Sequence, residues 1–192
     1  MIFAFDIRDS RISYAQEFKM LKPQDLLVTI TVLALRREQK PVTFASLAQV
    51  CGLSASDAHA AMGRARASGF FSGTLETGGP VRANLIEFLQ HGAAYVWPLE
   101  RGEITRGIPT AHSVPAVQER LKLIAPASPL VWPYPGGTIR GESMVPLHKC
   151  VPRVAAAMPF VHEVFALSDL IRMRDSRFTA LAGPALNTLL RE

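Results

Sequence analysis

The pattern of apolar and polar positions predicts a mainly helical chain with a few short strands. Residues 23–38 are apolar on nearly every face, which predicts a helix that is buried on several sides. Residues 12–21 carry apolar side chains at helical spacing and predict an amphipathic helix, whereas residues 1–7 predict a short strand or an arm. The apolar surface of the 23–38 helix must be covered by neighbouring elements or by a second subunit.

A tight turn at Gly52 is predicted to join two short helices. The first helix spans about Ala45 to Cys51, and Gly52 ends it because the left-handed conformation needed there costs glycine nothing. Ser54 is suited to cap the second helix, which runs to about Ser68, because serine accepts hydrogen bonds from free backbone N–H groups. The residues predicted to face inward from the first helix are Leu47, Ala48 and either Val50 or Cys51.

Residues 43–69 resemble the helix-turn-helix of winged-helix bacterial transcription regulators, broadly the MarR-like group. The residues that carry this resemblance are Leu47, Ala48, Gly52, Leu53 and Ala58. The resemblance implies that the second helix enters the major groove of double-stranded DNA. A helical hairpin that only supports the fold is the alternative interpretation.

A winged fold also needs a β-hairpin, and the first candidate follows the second helix directly. Phe70 to Leu75 predicts a strand, and Gly78-Gly79-Pro80 predicts the turn. The return strand is weak, however, because residues 82–90 already predict a helix that Gly92 would end.

A second candidate hairpin lies further along the chain. Residues 94–98 and 104–108 have a strand-like composition and flank a polar turn. The family that the chain resembles has one wing directly after the second helix, so the sequence leaves the choice between the two segments open. Residues 41–44 predict the short strand that precedes the second helix of a winged domain.

The second half of the chain is rich in proline and predicts strands followed by helices. Residues 130–140 predict a hairpin with a Gly-Gly corner. A helix is predicted from Pro159 to about Met173. Ser176 is predicted to cap a last helix, which Gly183-Pro184 should bend or break.

These elements together predict an α+β fold that is mainly helical, in three parts. Residues 1–22 form an arm and a helix for dimerisation, and residues 23–108 form a winged helix-turn-helix domain that binds DNA. Residues 109–192 form a C-terminal region, with a β-hairpin and helices, for dimerisation or partner binding.

The charge of the chain favours a polyanionic partner but is not concentrated at one place. The net charge is +5 and the isoelectric point about 9.6. Basic side chains are spread over both halves, so a basic face must come from the fold. We expect a cytoplasmic protein, because the N-terminal residues are unlike a signal peptide, no apolar run reaches the ~20 residues of a membrane span, and the two cysteines form no disulfide framework.

The second helix of the motif carries most of the candidate DNA-binding residues. Ser54 and Ser56 lie at its N-terminal end, where backbone N–H groups and the helix dipole favour a phosphate. Ser56 and His59 are placed to contact base edges or phosphates. Arg64 and Arg66 lie late in the helix and are expected to contact phosphate; for each arginine, the alternative is a solvated surface charge.

Two further arginines, Arg101 and Arg106, would join the interface if the second candidate hairpin is the wing. They matter because the second helix is poor in arginine, asparagine and glutamine, the side chains that usually read bases. Specificity for each half-site is therefore modest, or the wing residues add to it.

No pattern of catalytic or metal-binding residues stands out, so we expect neither an enzyme nor a cofactor or metal site. The five histidines lack the spacing of zinc ligands, and His148 with Cys150 supplies only two. The sequence contains no nucleophile elbow and no phosphate loop. The aromatic residues expected to pack in the core, rather than to line a ligand pocket, are Trp97, Trp132, Tyr134 and Phe160.

The expected function is that of a homodimeric repressor that binds a palindromic operator in double-stranded DNA. Dimerisation would use the N-terminal helix and the helices from Pro159 onward. The alternative is a protein-interaction module, for example an antitoxin-like partner in a bacterial two-component system. The irregular, proline-rich second half motivates that alternative.

Overall fold

The computed structural model describes residues 20–192, and the fold is α+β and mainly helical, as predicted. The expected arm at residues 1–7 and nearly all of the helix expected at residues 12–21 lie outside the described residues. The helices are α1 (Pro23–Arg37), α2 (Phe44–Cys51), α3 (Ala55–Ala67), α4 (Arg82–Glu87), α5 (Ala93–Val96), α6 (Pro115–Leu121), α7 (Val151–Ala157), α8 (Pro159–Arg172) and α9 (Ser176–Arg191). The strands are β1 (Phe71–Ser72), β2 (Gly79–Pro80), β3 (Arg101–Pro109), β4 (Leu130–Pro133) and β5 (Ile139–Met144).

Helix α1 lies at the centre of the molecule. Every residue from Asp25 to Leu35 is buried, and the helix contacts α2, α3, β2 and α8. The hydroxyl groups of Thr29 and Thr31 donate to the carbonyl groups four residues earlier, at 2.7 Å each, so these buried polar groups are satisfied within the helix. The apolar surface of α1 is therefore covered by the chain itself.

Helix α8 is the second central helix, and it is buried from Val164 through Arg172. It contacts α1, α5, α7, α9 and the short 3₁₀ turn Ala111–Ser113. One cluster of buried side chains runs from Leu26 in α1 to Leu190 in α9, so the boundary expected near residue 108 does not separate two cores.

Strands β3, β4 and β5 form a small closed sheet. β3 pairs antiparallel with both β4 and β5, and β4 pairs with β5 in parallel, so residues 130–140 do not form the predicted hairpin. The close approach depends on Gly107, because a Cβ at this position would lie 2.0 Å from the carbonyl oxygen of Trp132.

Two predicted strands, at residues 41–44 and 94–98, are absent. Residues 41–44 contain no strand, since Thr43 caps α2 and Phe44 begins it. Gly92 does not end a helix: α4 continues through a π-turn, Phe88–Gly92, into α5, so residues 94–96 are helical. The second candidate hairpin is therefore wrong, and residues 104–108 belong to β3.

The last two helices begin where the sequence predicts. α8 spans Pro159–Arg172, and α9 starts at Ser176, although Asp175 is the residue that caps it by accepting hydrogen bonds from the N–H groups of Arg177 and Phe178. Helix α9 is not broken at Pro184. The side chain of Gln90 donates to the carbonyl oxygen of Gly183 at 2.6 Å and so ties this part of α9 to the π-turn.

A buried polar cluster around Asp169 connects α8 to the closed sheet. One carboxylate oxygen accepts hydrogen bonds from Thr110 Oγ1 at 2.8 Å and from Trp132 Nε1 at 2.7 Å. The other accepts from Arg172 Nη1 at 2.6 Å, and the same guanidinium group donates to the carbonyl oxygen of Trp97. Trp132 is fully buried and Trp97 and Phe160 pack partly buried against the core, as predicted, whereas Tyr134 lies outside the core cluster.

Candidate functional site

Helices α2 and α3 are joined by a short turn whose local signals act as the sequence predicts. Gly52 has φ +67° and lies in the left-handed region, where a residue with a side chain is strained. Ser54 Oγ accepts a hydrogen bond from Asp57 N at 3.0 Å and donates to Asp57 Oδ2 at 2.7 Å. Both helix ends at the turn are thereby stabilised, and the angle between α2 and α3 is fixed locally.

The inner surfaces of α2 and α3 pack against α1. The buried residues are Leu47, Ala48 and Cys51 from α2, and Ala58, Ala61, Met62 and Ala65 from α3. Cys51 Sγ lies 3.4 Å from Thr31 Oγ1, and burial raises the pKa of the Cys51 thiol to about 11. The thiol therefore stays neutral at physiological pH and acts as a small core side chain.

The outer surface of α3 is open to solvent and carries four of the predicted DNA-binding residues. Ser54, Ser56, His59 and Arg66 are all exposed, with the two serines at the N-terminal end of the helix. The His59 ring packs against Phe44, with ring centroids 4.9 Å apart, so α2 limits the directions that the imidazole can take.

Arg64 does not belong to this outer surface, which corrects the prediction that it contacts phosphate. Its guanidinium group turns inward and donates to both carboxylate oxygens of Asp25, with Nη2 2.6 Å from Oδ1 and Nε 2.9 Å from Oδ2. The Arg64 side chain is 11% exposed and that of Asp25 is 0% exposed. Arg64 therefore joins α3 to α1 through its ion pair with Asp25.

The hairpin β1–β2 follows α3 directly, so the first of the two candidate segments forms a hairpin. Phe71 pairs with Pro80 and Ser72 with Gly79, and residues 73–78 form the loop. Arg36 Nη2 donates to the carbonyl oxygen of Leu75 at 2.8 Å, which fixes the loop to the end of α1.

A cleft of about 220 Å³ lies between the outer surface of α3 and the hairpin loop. His59 and Arg66 line one side, and Thr74 and Glu76 line the other. Glu76 is the sole charged residue of the loop at 73–78, so the hairpin adds no positive charge to this surface. Any attraction for an anion here comes from α3 and its neighbours.

Arg101 and Arg106 lie on β3 in the closed sheet and not in a hairpin beside α3. This corrects the prediction that they join the DNA-binding interface as wing residues. Arg101 Nη1 lies 3.4 Å from Glu142 Oε2. Arg106 is directly opposite Arg140 in the β3–β5 pairing, and both side chains are exposed. The structure thus gives these two arginines no common site with Ser56, His59 and Arg66.

One cation beside the turn was missed by sequence reasoning. Arg153 of α7 donates from Nη2 to the carbonyl oxygen of Gln49 at 3.3 Å, and its side chain covers Gly52, where a Cβ would lie 2.9 Å from Nη1. No signal within residues 43–69 indicates this neighbour, because Arg153 lies about a hundred positions away in the chain. It brings a positive charge next to the N-terminal end of α3.

The described residues hold no group of three or more histidine, cysteine, aspartate or glutamate side chains placed to bind a metal ion. His148 Nδ1 accepts a hydrogen bond from Cys150 N at 3.2 Å. Burial lowers the pKa of His148 and raises that of the Cys150 thiol, so both are favoured in their neutral forms. This pair belongs to the turn that precedes α7.

No helix within residues 20–192 is both long and apolar enough to cross a membrane. Comparison of the chain with protein-family models, with curated proteins and with solved structures finds no match.

Proposed function

We propose that the chain is a cytoplasmic, DNA-binding regulator of transcription in which α2, α3 and the β1–β2 hairpin act as a winged helix-turn-helix. The observation that supports this most is the combination of a fixed turn, an exposed outer surface on α3 and a hairpin directly after it. α3 would lie in the major groove, with the hairpin beside the adjoining backbone.

The contacts would divide into phosphate contacts and base contacts. The free N–H groups at the start of α3, near Ser54 and Ser56, suit a phosphate. Ser56, at the N-terminal end of α3, and His59, one turn later, are exposed and would contact base edges or phosphates, and Arg66 would add a phosphate contact. Arg153 gives a further cation next to the turn. Because this surface carries few charges, we expect a shallow dependence of affinity on salt.

A homodimer on a palindromic operator remains the preferred arrangement. Helix α8 offers little surface for a second subunit, since its residues from Val164 to Arg172 are covered within the chain. Among the described C-terminal helices, the outer side of α9 is more suitable, because Leu181 is exposed there together with polar residues. Binding to two half-sites would require the two α3 helices of the dimer to lie about one helical turn of DNA apart.

The test is selection of bound sequences from random duplex DNA by the full chain. We expect a palindromic motif of two half-sites. In a titration on the selected duplex, Arg66→Ala should weaken binding and lower the slope of log affinity against log salt by about 0.9. Arg140→Ala, at an exposed position of β5 in the closed sheet, is the matched control and should leave both values unchanged. Equal affinity for every duplex, or the same effect from both variants, would overturn the proposal.

A protein-interaction module is the second candidate, and exposed apolar side chains favour it. Tyr95 is 74% exposed and Val96 is 54% exposed at the end of α5, and the Arg174 guanidinium lies 4.4 Å from the centre of the Tyr95 ring. Tyrosine with arginine is a combination enriched at protein interfaces. A second polypeptide that co-purifies at fixed stoichiometry, and is lost on Tyr95→Ser substitution, would favour this function.

A further inference from the structure

A cleft of about 360 Å³ opens on the side of the molecule where α1 ends, β2 runs and α4 begins. Three arginines line it: Arg36 and Arg37 from the last turn of α1, and Arg82 from the first turn of α4. Leu33 and Pro80 form an apolar part of the wall, and Glu192 is the sole acidic residue among the described residues that line it.

The neighbours of these arginines leave most of their positive charge uncompensated. Arg36 donates to the carbonyl oxygen of Leu75 at 2.8 Å, and Arg82 Nη1 donates to the carbonyl oxygen of Arg191 at 2.7 Å. Both acceptors are neutral. A guanidinium group has five N–H donors, so each of these arginines has donors left for a ligand.

Within residues 20–192, the carboxylate beside the cleft arginines is that of Glu192, and its contact with Arg37 is long. Its Nη2 lies 3.8 Å from Glu192 Oε2, while the other oxygen of Glu192 lies 3.5 Å from Arg120 Nη1. The Arg37 guanidinium also lies over the Phe160 ring, 4.6 Å from its centre. Because Glu192 is shared and partly exposed, it does not neutralise the cleft.

Gly79 keeps the cleft open at its floor. A Cβ at this position would lie 2.8 Å from Arg36 Nη1, so any side chain would displace the guanidinium group or occupy the space in front of it. The absence of a side chain at Gly79 thus leaves room for the Arg36 guanidinium group beside β2, where both residues line the cleft.

We propose that this cleft binds a small phosphate monoester, held by Arg36, Arg37 and Arg82. Three arginines and one glutamate leave two positive charges among the lining residues, and a phosphate monoester carries about −1.5 to −2 at neutral pH. Guanidinium groups match phosphate oxygens in pairs. The volume lies near the lower end of the range for ligand pockets, which suits a phosphate with a small attached group. The proposal does not depend on DNA binding by α3.

The test is isothermal titration of the full chain with inorganic phosphate at constant ionic strength, with chloride as the reference anion. We expect saturable binding at one site. Arg37→Gln with Arg82→Gln should weaken it at least tenfold, and Arg177→Gln, an exposed arginine away from the cleft, should not change it. Glu192→Gln should tighten binding, because it removes a competing carboxylate, and this variant keeps the test decisive if the double variant fails to fold.

A competition experiment with duplex DNA distinguishes a small phosphate ligand from a phosphate of the DNA backbone. Inorganic phosphate that still binds in the presence of saturating duplex supports a free phosphate monoester as the ligand. Displacement of phosphate by duplex would assign the cleft to the DNA backbone and overturn the proposal of a small ligand. Absence of saturable binding to the wild-type chain, or equal binding by the double variant, would also overturn it, whatever the result for DNA.

Discussion

Arg64 of α3 and Asp25 of α1 form a bidentate ion pair in the interior of the molecule. Asp25 also accepts a hydrogen bond from Lys22 N at 2.8 Å, so its carboxylate both caps α1 and holds α3. This pair decides which arginines of α3 are available to a ligand: Arg66 faces solvent and Arg64 does not. The outer surface of α3 keeps its orientation because the inner one is fixed to α1.

Arg64→Ala should therefore destabilise the fold. Removal of one partner from a buried ion pair leaves the other charge uncompensated, and such losses cost about 3–5 kcal/mol. Urea unfolding followed by circular dichroism measures the difference. Arg66→Ala, two positions away on the exposed side, should change the free energy of unfolding by less than about 0.5 kcal/mol. Equal stability of the two variants would contradict the structural role of Arg64.

Acidification should destabilise the protein through His162. Burial lowers the pKa of His162 below the ordinary value of 6.5, and its Nε2 lies 2.7 Å from the carbonyl oxygen of Pro109. The unfolded chain then binds a proton more readily than the folded one, so stability is lost as the pH falls through 6.5 and below.

His162→Gln tests this, because glutamine keeps a donor for the carbonyl oxygen but does not titrate. We expect a smaller loss of the free energy of unfolding between pH 7.5 and pH 5.5 in the variant than in the wild type. Residual pH dependence should remain, since burial also lowers the pKa of His112 and His148. Identical losses in both proteins would show that His162 does not contribute.

Thr110→Val should weaken the connection between α8 and the closed sheet. Thr110 is fully buried and donates to Asp169, so valine leaves a carboxylate oxygen short of one donor, at a cost of about 1–3 kcal/mol. Thr188→Val is the control, because the Thr188 hydroxyl donates to the Pro184 carbonyl at the exposed side of α9. Chemical denaturation measures the free energy of unfolding of the two variants. An equal loss of this free energy in Thr188→Val and Thr110→Val would argue against the role of the buried cluster.

Two alanine substitutions of glycine should have opposite effects. Gly107→Ala places a Cβ 2.0 Å from the carbonyl oxygen of Trp132 and should open the closed sheet, at a cost of several kcal/mol. Gly63→Ala lies on α3, where a Cβ would meet nothing within 4 Å, and should stabilise the helix by about 0.5–1 kcal/mol. Melting temperatures measure both, and an unchanged or raised melting temperature for Gly107→Ala would contradict the packing described for Gly107.

Arg36→Met should loosen the hairpin loop without unfolding the protein. The substitution keeps an apolar stem but removes the donor to the Leu75 carbonyl. Hydrogen exchange should become faster at Gly78, whose N–H donates to Thr74 within the loop, and stay unchanged at Leu53 in the α2–α3 turn. If the exchange rate at Gly78 in the variant equals that of the wild type, the loop keeps its conformation without the Arg36 hydrogen bond.

The sequence predicted α2, the turn at Gly52 and α3 well because the signals there are local. A left-handed glycine and a serine cap act within a few residues, whatever the rest of the chain does. Arg64 was misplaced for the opposite reason: its partner Asp25 is 39 positions away, and nothing in the helical pattern distinguishes an inward arginine from an outward one.

The strands were harder to predict because their partners are distant. Residues 94–98 and 104–108 looked like neighbours in a hairpin, but β3 pairs with strands that lie more than twenty positions later in the chain. Residues 130–140 have the pattern of a hairpin for the same reason, whereas β4 and β5 each pair with β3. Short apolar segments with prolines do not specify which segment pairs with which, and the tertiary packing decides.

The position of α1 also means that residues 20–192 fold around one shared core and not as separate units. One side of this helix supports α2, α3 and the hairpin, and another side touches α8 from the far end of the sequence. A shortened chain that stopped before β3 would expose to water the part of α1 that α8 covers. Within residues 20–192, α3 and the closed sheet share one buried cluster, so a change in one can reach the other through the packing of core side chains.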